Sequence, residues 1–172
     1  MNGVNINKKI LSEIALIYGD VSMPKGFEID REELSKQILE ANINDHTFPF
    51  SRNWDMLNTY MRDHINVEHG INLINKITWG DTYKPGEVSI PLLNIDPVDL
   101  RHSPDYTCLY GVKVDNCNVR INYDDNRRKN RSWDFPLTNN QFIIFPSTCM
   151  YYLTNKQKDS LNFVQTITYE FI

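Results

Sequence analysis

Helices first and strands after is the order this sequence predicts, an α+β fold in a single domain, and three observations carry it. The chain closes on 161–172, where the odd positions are Leu161, Phe163, Gln165, Ile167, Tyr169 and Phe171 and the even ones are mostly polar. A period of two sustained over that length marks a strand with one face buried. Ahead of it, from about residue 86, short alternating segments recur at spacings of roughly 8–12 residues, as a sandwich or jelly roll requires. Residues 6–70 instead place apolar side chains three and four apart, the spacing of helices with one buried face.

Taken in order, the first helix is predicted over 6–18, with Ile10, Leu11, Ile14, Ile17 and Tyr18 on one face and Gly19 supplying a left-handed end. An irregular connection with Pro24 and Gly26 follows. Asp30 and Glu33 then have the spacing of a capping box for a second helix to about Ala41, with Leu34, Ile38 and Leu39 inward. A third helix is predicted over 53–69 on Trp54, Leu57, Met61 and Ile65, with Gly70 after it. Residues 71–79 form a first strand. The apolar run 88–95 contains Pro91, which confines it to an edge or a strand start. Further strands are expected over 106–114, 118–124, 133–135, 142–145 and 149–153. A polar loop follows the 118–124 strand, and Lys156–Asp159 makes a charged turn before the final run. No repeat or linker divides the chain. The domain is 1–172, helical over about 6–70 and built of strands over about 71–172.

Composition narrows the function classes. Hydrophobic content of 41% and charged content of 23% are those of a globular domain. A net charge of −4 argues against nucleic acid as a general partner, because phosphate contact needs a basic surface. No apolar run reaches the ~20 residues of a membrane-crossing helix, and residues 1–9 have no signal-peptide pattern. Cys108, Cys117 and Cys149 are odd in number and form no CxxC pair, as expected of reduced thiols.

Few residues suggest chemistry. His102 and Asp105 stand together before the 106–114 strand and, with Tyr151, are the candidate metal ligands; a His-x-x-Asp pair in a proline-containing loop also reads as turn chemistry. Of Tyr151 and Tyr152 only one can point into the core. Arg127, Arg128, Lys129 and Arg131, flanked by Tyr123 and Trp133, form a candidate contact for an anion or a partner, or else a solvated hairpin tip offset by Asp124, Asp125 and Asp134. The segment His64–His69 has neither the HExxH nor the HxxEH spacing of zinc proteases, and His46 stands alone. Cys149 has no adjacent histidine to activate it and reads as a small core residue.

The fragments Leu109-Tyr110-Gly111-Val112, then Tyr123-Asp124-Asp125-Asn126-Arg127-Arg128, then Phe145-Pro146-Ser147 carry a family resemblance. In that order the chain resembles hydroxylase-like members of the 2-oxoglutarate/Fe(II) oxygenase superfamily, particularly small ones carried by tailed phages of marine bacteria. Those proteins often show an SGVYY-like strand, an FxDPR-like strand end and an FPS-type turn. The resemblance spans 23–172. It implies a double-stranded β-helix (jelly roll) over about 71–172, with the three N-terminal helices packed on one sheet.

The family holds Fe(II) on two histidines and a carboxylate, and grips 2-oxoglutarate with a basic side chain near the last strand. An HxD or HxH pair precedes its GVYY-like strand, yet 84–95 here contains no histidine. A histidine follows its FPS turn by a few residues, where this chain has Met150, Tyr151 and Tyr152. The arginine expected at the head of the final strand falls at Ser160, with Lys156 and Lys158 nearby. The resemblance therefore implies a catalytically degenerate, phage-encoded relative without a cofactor. It would act on a protein partner or as a virion or assembly component, in the host cytoplasm or the virion, with self-association open. The alternative is an active Fe(II)/2-oxoglutarate hydroxylase with ligands from His102, Asp105 and Tyr151. A third reading is a structural virion subunit with no ancestral pocket.

Overall fold

The computed structural model describes Lys9 and residues 14–44, 51–126 and 129–172, with the backbone alone at 124–126 and 129–130. The chain starts with a short strand, β1 (Ile17–Asp20), and continues through helices α1 (Arg31–Asn44) and α2 (Arg52–His69) to the long strand β2 (Leu73–Tyr83). After an irregular stretch and a single 3-10 turn at Leu100–His102 come β3 (Tyr106–Lys113), β4 (Cys117–Asn126), β5 (Lys129–Leu137), β6 (Gln141–Pro146), β7 (Met150–Asn155) and β8 (Asn162–Phe171). All pairings are antiparallel. A five-stranded sheet runs β1-β6-β3-β8-β2 and a three-stranded sheet runs β5-β4-β7. Single bridges, Val88 to Thr154 and Leu92 to Tyr151, lay the 88–92 segment along the free edge of β7.

These elements stack in three layers, with a core on each side of the five-stranded sheet. Between helices and sheet, Leu34, Ile38, Trp54, Leu57, Met61 and Ile65 meet Cys108, Tyr110, Phe142, Ile167 and Tyr169. Between the two sheets, Tyr83, Leu109, Ile143, Phe145 and Val164 meet Val119, Ile121, Phe135, Tyr151 and Leu153. Gly80 of β2 faces the helices, since a Cβ there would meet Ile38 Cγ1 at 2.4 Å.

Both described helices form where the periodicity places them, and their ends are capped. The Asp30 carboxylate accepts from Glu33 N at 3.0 Å, half of the capping box. The other half is diverted: Asn53 at the start of α2 accepts from Asp30 N and donates to Glu33 Oε2, both at 3.0 Å, which ties the two helix starts together. Ser51 caps α2 by accepting from Trp54 N, and Gly70 ends it with φ of 66°, its N–H returning to Asn66 O.

Three expectations about the elements are corrected. The helix predicted over 6–18 falls largely outside the described residues. Within them, residues 14–16 are irregular and Ile17–Asp20 is a strand paired with β6. The open edge of β6 supplies ladder bonds that a terminal helical turn at Ile17-Tyr18 would forgo, and both residues fit strands well. Two helices, not three, therefore pack on the sheet among the described residues. β8 has the period of two that the sequence shows, but it is not half-buried. Its even positions Val164, Thr166 and Thr168 are as enclosed as its odd ones, because β8 lies between β3 and β2 with helices on one face and the second sheet on the other. The polar loop expected after residue 124 is also replaced by structure, since the β4–β5 ladder continues through Asp124–Arg131 to Asn126–Lys129.

Candidate functional site

The space between the two sheets is lined mostly by apolar side chains, and at one end of it Thr107, Ser147 and Tyr151 are sealed from solvent. Alternation along β7 turns Tyr151 inward, 2% exposed, and leaves Tyr152 on the outer face. The Tyr151 ring packs edge-on against Phe145 at 5.1 Å. Its hydroxyl accepts from the Asn94 amide at 3.1 Å, and the same Nδ2 reaches Thr107 Oγ1 at 3.1 Å. Thr107 is bonded in turn to Ser147 Oγ at 2.8 Å. Four side chains from four segments thus satisfy one another, and Thr166 adds a further bond to the Tyr151 hydroxyl. Burial pushes the Tyr151 phenol up to about 12, partly offset by the Asn94 bond, so the ring stays protonated at neutral pH.

The Phe145-Pro146-Ser147 turn positions this set. Cys149 N bonds Pro146 O at 2.9 Å to close the turn, and Ser147 N bonds Asp105 O at 2.9 Å. Asp105 then accepts from Phe171 N at 2.7 Å through its carboxylate. Asp105 is therefore a tie between the turn and the end of β8.

The arrangement of strands and helices can be compared with solved structures. A prolyl-4-hydroxylase from Pseudomonas putida superposes with a TM-score of 0.64 at 12% identity, covering 90% of this chain and 87% of that one. The viral collagen prolyl hydroxylase of Paramecium Bursaria Chlorella virus-1, in its 2-oxoglutarate complex, gives 0.61 at 12% identity over 90% and 94%. A 2-oxoglutarate-Fe(II) oxygenase family oxidoreductase from Burkholderia pseudomallei gives 0.53 at 8% identity over 70% and 57%. The chain has the fold of the 2-oxoglutarate/Fe(II) oxygenases. No protein-family model and no curated protein matches its sequence.

Within this oxygenase fold the three candidate metal ligands make no side-chain hydrogen bond to one another. The His102 ring is 72% exposed and pairs with Asp99 at 2.8 Å. Asp105 is held by Phe171 N, and Tyr151 by Asn94. Among the described residues, no three His, Cys, Asp or Glu side chains stand close enough together to hold a metal ion. Of the basic cluster, Arg127 and Arg128 lie outside the described residues. Lys129 pairs with Asn126 in the hairpin ladder, and Arg131 is exposed opposite Asp124. His64 stacks on Tyr60 at 5.6 Å, an ordinary helix-surface contact.

Asn94 is the residue that sequence reasoning missed. Asn94-Ile95-Asp96 has an N-x-D pattern with the spacing of an H-x-D pair. Asp96 accepts from Val98 N at 2.8 Å and so caps its own loop. At the head of β8 the interior positions are Asn162, Val164 and Thr166, none of them cationic. Ser160 is exposed there, and its carbonyl accepts from Asn155 Nδ2 at 2.8 Å.

Among the described residues, the carboxyl of Asp81 faces the interior. Asp81 lies opposite Val164 in the β2–β8 ladder, on the face of β2 that carries Tyr83 and not Gly80. Burial raises its carboxyl above the ordinary 3.8, against the lowering effect of the Trp79 Nε1–H bond at 2.9 Å. The folded state therefore holds this proton more tightly than the unfolded chain. Stability drains away as pH rises through about 3.8 toward the folded value, and the loss is complete above it. Asp81→Asn, which keeps an oxygen for Trp79, is expected to raise Tm by a few °C at pH 7 and to leave it unchanged at pH 3, measured by calorimetry at both values.

Proposed function

We propose that this chain is a phage-encoded protein with a double-stranded β-helix, descended from the oxygenases, that has lost its iron site and works by binding a protein partner, as a virion or assembly component. The observation that carries this reading is the Asn94–Tyr151 hydrogen bond. The family places one histidine ahead of its GVYY-like strand and another a few residues after its FPS turn; on this reading Asn94 and Tyr151 stand in for them, and the two side chains are hydrogen-bonded to each other. This donor set does not fit Fe(II). The Asn94 nitrogen is spent as a donor to Tyr151 and Thr107, and a neutral carboxamide oxygen and a neutral phenol are weaker Fe(II) ligands than the imidazoles they would replace.

The co-substrate fares no better. The place of the basic side chain that would grip a dianion is taken by neutral residues, and the interior carries the carboxyl of Asp81 instead. An anion facing a dianionic ligand in a poorly solvated space is repelled strongly. Phage origin rests on the sequence resemblance.

Anaerobic titration of the purified protein with Fe(II) and 2-oxoglutarate, with Co(II) as a ligand-field probe, tests the reading. No stoichiometric metal and no 2-oxoglutarate-dependent absorption are expected. One equivalent of metal with a 2-oxoglutarate-dependent band would overturn it in favour of an active hydroxylase, with His102, Asp105 and Tyr151 the first residues to substitute.

A further inference from the structure

The outer face of the three-stranded sheet is a second candidate site, independent of the interior. Strand alternation sends Val119, Ile121, Phe135 and Leu153 inward and presents a polar lattice outward. Its rows are fixed by the ladder: Asn122 lies beside Ser132, Arg120 sits between Asp134 and Tyr152, and Asn118 lies beside Thr154. The face is concave. A groove of about 530 Å³ runs over it, bounded by Val88 on one side and Lys156 at one end.

The polar groups in this groove fall into two sets. Arg120 and Asp134 are committed to each other in a two-pronged pair, Nε to Oδ1 at 2.8 Å and Nη2 to Oδ2 at 3.0 Å, with Asn118 adding a third bond to Asp134. That pair is a rigid centre with its charge neutralised. Around it, the side chains of Asn122, Ser132, Thr154 and Lys156 make no hydrogen bond with the described residues. They offer both donors and acceptors at the strand spacing of about 4.8 Å. With Arg120 and Asp134 cancelling, the net positive charge of the groove is that of the Lys156 ammonium, which also acts on Asp134. The Tyr152 ring supplies the one aromatic surface.

We propose that this groove binds an acidic saccharide, a pyranose ring bearing one carboxylate. Such a ring presents hydroxyls that donate and accept, which the amides and hydroxyls match. Its C–H face suits the aromatic ring of Tyr152. Its carboxylate suits the Lys156 ammonium, the positive charge in excess once Arg120 and Asp134 have paired. A phosphate group is the poorer fit, because the guanidinium that would fork onto it is already occupied by Asp134. A peptide is poorer still, since the groove has no deep apolar pocket for a side-chain anchor.

The test is an amide-proton NMR titration of the ¹⁵N-labelled full chain with sodium D-glucuronate, with D-glucose as the neutral control. Shifts are expected in β4, β5 and β7 around Asn122, Ser132 and Thr154, with glucuronate preferred roughly fivefold or more. Lys156→Ala should remove that preference and leave glucose binding unchanged, and Tyr152→Ala should weaken both sugars about tenfold. The same spectra report whether each variant is folded. Shifts that map elsewhere, no shift at tens of millimolar, or a preference that survives Lys156→Ala would each overturn the proposal. None of these outcomes bears on metal in the interior.

Discussion

Gly111→Ala is expected to lose about 3–5 kcal/mol of stability and roughly 10 °C in Tm, more than any other glycine-to-alanine change in the described chain. The reason is backbone against backbone. A Cβ on Gly111 would stand 2.2 Å from Thr138 O and 3.1 Å from Val114 Cγ2. Thr138 cannot retreat, because its turn is pinned on both sides: Asn140 N bonds Gly111 O at 2.8 Å, and Thr138 N bonds Gln141 Oε1 at 3.2 Å. Gly80 is the instructive contrast. Its added Cβ meets the Ile38 side chain, which can change rotamer, so Gly80→Ala should cost less, about 1–3 kcal/mol. Gly19→Ala, with only the Phe142 ring at 3.5 Å, should be close to neutral. Urea denaturation of the three variants ranks them. A Gly111→Ala protein as stable as the parent would show that the β3 backbone has room the structure does not give it. The glycine of the Leu109-Tyr110-Gly111-Val112 fragment is thus explained by the crossing of two chain segments, with no reference to catalysis.

That glycine illustrates what could be read from the sequence and what could not. Trp54, Leu57, Met61 and Ile65 declared α2 because a helix face repeats within a few residues, and all four are buried. β4 was equally legible from its local alternation, and β3, β6 and β7 from short β-prone runs. Layering is not local. Nothing within Leu161–Ile172 says that both of its faces are covered, since that depends on α1, α2 and the second sheet arriving from elsewhere. The same limit hid β1, whose identity is decided by the free edge of β6. At the candidate site, Tyr151 was visible because it follows the Phe145-Pro146-Ser147 turn. Asn94 was not, because an asparagine in a loop has many ordinary uses. Only its contact with Tyr151, 57 positions along the chain, gives it meaning.

Replacing both partners of that contact should turn the polar plug into a metal site. The variant Asn94→His with Tyr151→His places two imidazoles where an amide and a phenol now touch at 3.1 Å, a separation short enough for two ligands of one ion. Asp96, two residues beyond Asn94, supplies the carboxylate once its bond to Val98 N is released. The exchange has a stability cost. Loss of the buried Tyr151 ring, which packs on Phe145, should take about 2–4 kcal/mol, and a native-like circular dichroism spectrum at 15 °C is a condition of the experiment. Co(II) is the probe, since its d–d absorption reports nitrogen and oxygen ligation directly. The double variant is expected to bind one equivalent with micromolar affinity, each single variant at least tenfold more weakly, and the parent not measurably. Adding Asp96→Ala to the double variant should weaken binding by a further tenfold or more. A folded double variant that binds no Co(II) would mean that Asn94 and Tyr151 do not occupy the ligand positions. The proposed loss of the iron site would then need another basis than substitution at these two places.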